Sequence, residues 1–335
     1  MMPHVRSDDL MAEFKRVLME KGCEEDIADV SARLMTESSL DGVYSHGVNR
    51  FPRVVEYIDK GYIHLNTRPT KIDGIGAFER WDAHLGLGNV TAKIAMDRAI
   101  ELARENGIGC VALRNANHWL RGGAYGLQAA DAGCIGICWT NTQPNMPAWG
   151  AKDRRIGNNP FIVAIPRKDG HVVVDAAMSQ FSYGHMESAG LRGVALEVPG
   201  GYDEEGHLST DPNAITRTWR VLPIGFWKGS ALSIVLDLAA TVLAGGRSTY
   251  RVGHLGSDEY ELCQVLIAID AENIAGAEFL GTAVEEVLLY VKESERADQE
   301  QSVRFPGEKR ISTRRRNLEH GIPVDDVVWG KITSL

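Results

Sequence analysis

Apolar residues fall at helical spacing near the start of the chain. Leu10, Phe14, Val17 and Leu18 share one face and predict a helix over 7–21, capped by Ser7 and stopped by Gly22. Ile27, Val30, Leu34 and Met35 predict a second helix over 24–40. A third is expected over 48–60, ending at Gly61. Residues 71–83 read as short and turn-rich, with Trp81-Asp82-Ala83-His84 a poor strand. The pattern then alternates: a helix over 89–105, a strand over 109–113, a helix from Gly122-Gly123 to 132, and a strand over 135–139. Residues 144–160 read as loop. Residues 161–165 and 172–175 read as a strand pair around Lys168-Asp169-Gly170. A surface loop over 198–213 is followed by an apolar helix from Lys228 to about 243, a strand over 262–269, a helix over 280–294 and a last helix near 313–319.

This order predicts a mixed α/β or α+β fold rather than an all-parallel doubly wound sheet. Two units are expected. Residues 1–72 would form a helical domain joined by C-terminal helices over 280–335. Residues 73–279 would form a mixed α/β domain, with a subdomain around 115–145.

Composition narrows the classes. The 335 residues carry a formal net charge of −9, which argues against nucleic-acid binding. The dense basic run Arg314-Arg315-Arg316 reads as a solvated helix face. Five cysteines show no Cys-x-x-Cys pair and fit small core residues in a reducing, cytoplasmic setting. No signal peptide is seen, and no apolar run reaches the roughly eighteen residues of a membrane span, so no membrane partner is expected.

A Rossmann fingerprint needs G-x-G-x-x-G between a strand and a helix. Gly86-Leu87-Gly88 precedes a helix, but Thr91 stands where the third glycine should be. No Walker loop is present either. Among ten histidines, two sit where chemistry gathers. His46 follows Ser45 in a turn, with Arg50 four residues on, so imidazole and guanidinium would share a face. His118 lies just past a strand, between Asn117 and Trp119. The His46 and Arg50 pair could protonate a carbonyl oxygen and hold a neighbouring carboxylate. A serine hydrolase is disfavoured, since adjacent Ser45 and His46 present no nucleophile elbow. No spacing supports a metal site. Trp227-Lys228-Gly229 heads a helix, which suits a phosphate.

The ordered motifs Tyr44-Ser45-His46-Gly47, Asn115-Ala116-Asn117-His118-Trp119, Trp139-Thr140-Asn141, Gly157-Asn158-Asn159-Pro160, Asp175 with Ser179, Lys228-Gly229 and Pro306-Gly307-Glu308 span nearly the whole chain. Together the chain resembles the type-2 malate/lactate dehydrogenase family. The longer strings 43–53, 108–119, 135–141, 181–184 and 293–298 narrow the resemblance to one reductase branch. One departure is Asn158, where a threonine is common. The resemblance implies a non-Rossmann fold and a homodimer, with NADH as cofactor and NADPH as the alternative. It implies a 2-oxo acid substrate whose C2 ketone is reduced. His46 matches the proton donor, with Ser45 beside it, and Arg50 and His118 are expected to bind substrate. The cofactor segments carry over onto His171, Val172, Val173, Val174, Asp175, Ala176 and Ala177, onto Trp227 and Lys228, and onto Gly307, Glu308 and Lys309. Malate, lactate or ureidoglycolate as substrate, and a non-catalytic ligand-binding role, stay open.

Overall fold

The computed structural model describes residues 4–256 and 258–335, so residues 1–3 of the expected N-terminal unit lie outside the described residues. The first apolar stripe is fully buried on α1 (Ser7–Glu20). It packs with α2 (Glu25–Leu40) and α3 (Phe51–Asp59), where Phe14 stacks on Phe51 at 4.3 Å. The expected Ser7 cap does not form. Ser7 is already helical, and the chain enters through extended Arg6 with no side-chain cap.

The expected third helix is broken. Tyr44–His46 and Val48–Arg50 are separate 3-10 turns, and α3 begins only at Phe51. Gly47 divides the turns because α2 leaves no room for a side chain. A Cβ there would meet Ser39 Oγ at 2.2 Å and Met35 O at 2.8 Å. The Val48 N–H donates to Ser39 Oγ at 2.9 Å, which fastens the turn to α2. His46 and Arg50 therefore face one site from two short turns, not from one helix.

A seven-stranded sheet forms the centre: β1 (Thr70–Ile75), β2 (Phe78–Asp82), β3 (Ile108–Ala116), β4 (Ile135–Thr140), β5 (Phe161–Ile165), β6 (Val172–Ala176) and β7 (Leu262–Ile269). Its order is β1-β2-β3-β7-β4-β5-β6. Only β2 and β3 are parallel, joined by the crossover helix α4 (Gly88–Asn106). The mixed fold is as the alternation implies. β7 comes late in the chain yet lies mid-sheet, which explains its nearly unbroken apolar run. One face of the sheet is covered by α4 and α5 (Gly123–Asp131), the other by α8 (Trp227–Ala244), named after α6 (Tyr183–Leu191) and α7 (Pro212–Thr218).

The hairpin β1–β2 corrects the turn-rich reading of 71–83. Its sequence looked too polar for a strand because Glu79 points inward and is paired. Arg98 and Lys71 reach it at 3.0 and 2.7 Å. Burial opposes the charged carboxylate, but these partners outweigh it and hold Glu79 at about 2. The helices α6 (Tyr183–Leu191) and α7 (Pro212–Thr218) were not anticipated, and only the start of α7 falls in the loop expected over 198–213.

The chain ends lie together, since His4–Val5 pairs antiparallel with Ile322–Pro323. The last expected helix is longer than 313–319. After α9 (Ala277–Lys292), α10 runs Glu308–His320, followed by an unanticipated α11 (Asp326–Thr333).

Gly86-Leu87-Gly88 has a packing role. A Cβ at Gly88 would stand 2.4 Å from His118 O and 2.5 Å from Asn117 O. The glycine lets α4 abut the loop that carries His118. Both obstructing atoms are backbone, so Gly88→Ala is expected to cost about 1–3 kcal/mol, read as a lower urea midpoint with unchanged slope.

Candidate active site

The two 3-10 turns project His46 towards the loop after β3. Its ring stacks on that of His118, with centroids 5.7 Å apart and planes 18° from parallel. Ser45 Oγ lies 2.9 Å from His46 Nδ1, so the hydroxyl is a neighbour that orients the ring. Across the site, the Leu120 N–H donates to His118 Nδ1 at 3.1 Å. Neutral His118 therefore carries its proton on Nε2, the nitrogen left free for a ligand. Both rings keep some exposed surface, yet most of their surroundings are protein. Burial, then the Arg50 and His46 charges, hold His118 well below the ordinary histidine range. Burial also lowers His46; Asp175 opposes this, while Arg50 and Arg121 add to it.

The polar string after β3 divides by role. Asn115 donates to Asp82 at 2.9 Å, and buried Asn117 donates to Tyr62 O, Leu85 O and Gly86 O at 3.0, 2.8 and 3.1 Å. Left-handed backbone at Asn115 and Leu120 bends the loop around them. These residues are scaffold; His118 is what the loop presents.

Arg50 is half-buried; its backbone N–H donates to Gly47 O, while its guanidinium makes no hydrogen bond or ion pair among the described residues. It adds positive charge near both imidazoles. Buried Glu259 also faces it electrostatically; burial pushes that carboxyl up, against the Gln143 N–H it accepts at 3.0 Å. A cleft of about 640 Å³ lined by Gln143, Asn145, Lys152, Arg154 and Arg220 adjoins this side, but contains none of the His46 cluster.

Asp175, at the end of β6, faces His46 as the opposing charge. Its Oδ2 accepts the Gly123 N–H at 2.9 Å. Arg121 Nε stands 3.9 Å from the same oxygen. The other end of Arg121 reaches Asp41 at 2.6 Å, where Arg310 and Arg314 arrive at 3.3 and 3.0 Å. Sequence reading missed this hub. Arg121 and Asp41 are 80 positions apart, and Asp41-Gly42 resembles an ordinary helix end. It also misjudged Arg314, which turns inward to Asp41 and Glu37.

Two of the three expected cofactor segments lie side by side through backbone bonding. The Val173 N–H donates to Pro306 O at 3.0 Å, joining the outer edge of β6 to Gly307. Gly307 has φ +93, and a Cβ would lie 3.1 Å from His171 O. Glu308 and Lys309 open α10 rather than lie in a loop, and Glu308 pairs with Lys292. The His171 ring is occupied within the chain, accepting from Arg167 N–H at 3.0 Å and meeting Asp131 at 2.8 Å. Within β6 Val174 is exposed and Ala176 half-buried, and Ala177, just beyond it, is also half-buried. After Asp175, the Ile224 N–H donates to Met178 O at 2.8 Å, tethering the turn before Trp227. Trp227 and Lys228 are exposed at the first turn of α8. Among the described residues no hydrogen bond or ion pair joins them to His46 or Asp175.

With this geometry in view, comparison with known proteins gives the class. The chain matches the malate/L-lactate dehydrogenase family over residues 5–333 and belongs to it; it is an oxidoreductase. Among its relatives, the 2,3-diketo-L-gulonate reductase of Escherichia coli O127:H6 is 48% identical over 331 residues, 99% of each chain. Two solved structures share the fold. Malate dehydrogenase from Entamoeba histolytica has a TM-score of 0.94 at 24% identity, covering 100% of this chain and 97% of that one. Sulfolactate dehydrogenase from Methanocaldococcus jannaschii has a TM-score of 0.91 at 27% identity, covering 99% and 95%.

Burial opposes an ionised Asp41, but Arg121, Arg310 and Arg314 outweigh it and hold the carboxyl below its ordinary range. Its stabilisation is thus complete above the unfolded value of about 4 and lost as pH falls through the depressed folded one. Asp41→Asn leaves buried Arg121 without its counter-charge and is expected to cost about 3 kcal/mol at neutral pH. Urea unfolding of parent and variant should show the gap narrowing in acid.

Proposed function

We propose that this chain is an NADH-dependent reductase of the C2 ketone of 2,3-diketo-L-gulonate, yielding 3-dehydro-L-gulonate, with NADPH as the alternative hydride source. The observation that carries the reading is an Arg50 guanidinium with no partner among the described residues, beside two imidazoles, one ordered by Ser45 and one a fixed Nε2–H donor. That set suits a carboxylate next to a carbonyl. The 48% identical reductase supports the choice of substrate.

The residues present fit a dinucleotide. Lys228 has no ion pair among the described residues and sits at the positive end of an 18-residue helix, where a phosphate is favoured. Gly307 lets backbone approach β6 more closely than any side chain would allow. His171 to Ala177, Trp227-Lys228 and Gly307-Glu308-Lys309 would hold the cofactor, the first mainly through backbone. Bound there, a reduced nicotinamide supplies the hydride.

The chain's own residues supply the rest. Arg50 grips the substrate carboxylate, and His118 donates from Nε2 to a second oxygen. Pairing Arg50 with that carboxylate cancels a charge that disfavours protonated His46. His46 then gives its Nε2 proton to the oxygen developing at C2, while its Nδ1–H stays on Ser45 Oγ. A charged donor aimed at that oxygen lowers the transition state more than the ground state. Reduction therefore declines as pH rises through the His46 pKa.

In this reading the helical unit, residues 1–72 with 280–335, supplies the proton donor, and 73–279 binds cofactor, with 115–145 as its subdomain. The protein acts in the cytoplasm, a setting that five free cysteines suit. It works as a homodimer. α8 is 18 residues long with mean hydropathy 1.4, enough to cross a membrane by length and composition, and it was not anticipated as such. Its inner side is pinned to the sheet, since Asp237 accepts Asn141 Nδ2–H and the Thr249 N–H, both at 2.9 Å. Val235, Leu238 and Val242 remain 58, 57 and 74% exposed, a face suited to a second copy.

His46→Asn is expected to lower kcat/KM by about 10²–10⁴-fold with little change in stability. A loss of less than about tenfold would sink the proton-donor role. NADH absorbance across 2,3-diketo-L-gulonate, oxaloacetate and pyruvate tests the substrate, and a clear preference for either of the last two would overturn it. Val235→Glu with Val242→Glu is expected to convert dimer to monomer in light scattering. A parent that is already monomeric would exclude the dimer.

A further inference from the structure

We propose that Arg121 is a positioning residue for the proton donor: held by Asp41, its guanidinium balances the Asp175 carboxylate that faces His46. The inference rests on the reading of His46 as proton donor. Nothing about proton transfer requires a buried arginine here, so its geometry needs a cause.

The Arg121 side chain is only 6% exposed, and its Nε has no hydrogen-bond partner among the described residues. Leaving a buried N–H unpaired is costly. The carboxylate near it is Asp175, at 3.9 Å, too far for a hydrogen bond but close for charge. Asp175 is held in place independently by the Gly123 N–H. A Cβ at Gly123 would lie 2.6 Å from Oδ2, so this grip needs glycine.

Asp41 cannot neutralise Arg121 alone, because Arg310 and Arg314 share its oxygens. Glu37 takes part of the Arg314 charge at 2.5 Å. Three guanidinium groups thus face two carboxylates, and the excess positive charge is left on the Asp175 side. The groups facing His46 are Asp175, which favours its charged form, Arg50 and Arg121, which oppose it, His118 on its ring face and Ser45 at Nδ1. Arg310 and Arg314 belong to α10, whose first turn carries Glu308 and Lys309. The hub therefore ties the helix expected to meet the cofactor to the charge balance at the proton donor.

The sign follows. Without Arg121, Asp175 acts on His46 undamped, so His46 keeps its proton to higher pH. For Arg121→Met, the alkaline limb of kcat/KM for reduction is expected at higher pH. Above the parental limb the variant should retain a several-fold larger share of its own maximal rate. The His46 signal in full-length protein labelled with ¹³C at histidine Cε1, assigned by its loss in His46→Asn, should titrate at higher pH as well. Arg121→Lys keeps the charge and should stay near the parent in both readouts. A purely structural arginine would lower the urea midpoint in Arg121→Met and move neither titration, which would overturn the proposal. If that variant does not fold, Asp41→Asn with Arg121→Met removes both members of the buried pair, and the same two readouts decide. An active His46→Asn enzyme would sink the proton-donor reading, whereas unmoved titrations beside an inactive His46→Asn would sink this inference alone.

Discussion

One buried carboxylate joins the parts of this protein that chemistry needs together. Asp41 ends α2, Arg121 precedes α5, and Arg310 and Arg314 come from α10; all four meet within hydrogen-bonding range. Burying charge is unfavourable unless geometry repays it, and here three guanidinium groups repay one carboxylate. The arrangement is better understood as a device of specificity than as a source of stability. An apolar cluster could join the same elements, but it would not fix the distance between Arg121 and Asp175 or carry charge towards His46.

The second constraint is close packing at glycine. Gly47 lets the His46 turn lie on α2, Gly88 lets α4 touch the loop of His118, and Gly123 brings an N–H to Asp175. Each places a different member of the cluster, and each is crowded by atoms that cannot withdraw far. The site is thus held by elements from four parts of the chain. The stacked imidazoles do not bond one another; their approach is set by the scaffolds behind them.

Much of this was legible in sequence. The helical face of Leu10, Phe14, Val17 and Leu18 comes directly from periodicity, and the strand 262–269 from its apolar run, because burial there follows local pattern. His46 and His118 could be singled out as residues at turn and strand end. The β1–β2 hairpin could not, since Glu79 becomes acceptable inside only when Arg98 and Lys71 reach it. The Asp41 hub was invisible for a related reason. Its members are ordinary charged residues at a helix end, in a loop and on a helical face, and only the fold says that they meet. The incomplete fingerprint also has a structural counterpart: Gly86 and Gly88 are engaged in packing.

In the proposed reading, α8 takes the place of a phosphate loop. Its sequence has almost no polar side, which normally marks a helix buried all round. One side is buried: Trp139 Nε1–H donates to Leu236 O at 3.1 Å, Asn159 Nδ2–H to Ser233 O at 2.9 Å, and Asn141 to Asp237. Through Trp139, Asn141, Gly157 and Asn159, the motifs Trp139-Thr140-Asn141 and Gly157-Asn158-Asn159-Pro160 pin this helix. The opposite side is apolar and uncovered within the chain. A helix that must satisfy two neighbours cannot be amphipathic, and its first turn carries Trp227 and Lys228. In the proposed dimer, association and cofactor binding would therefore act on one rigid element. Movement of the subunit contact would be felt at the phosphate end of the helix, and through the Met178 to Ile224 tether at the strand end that carries Asp175.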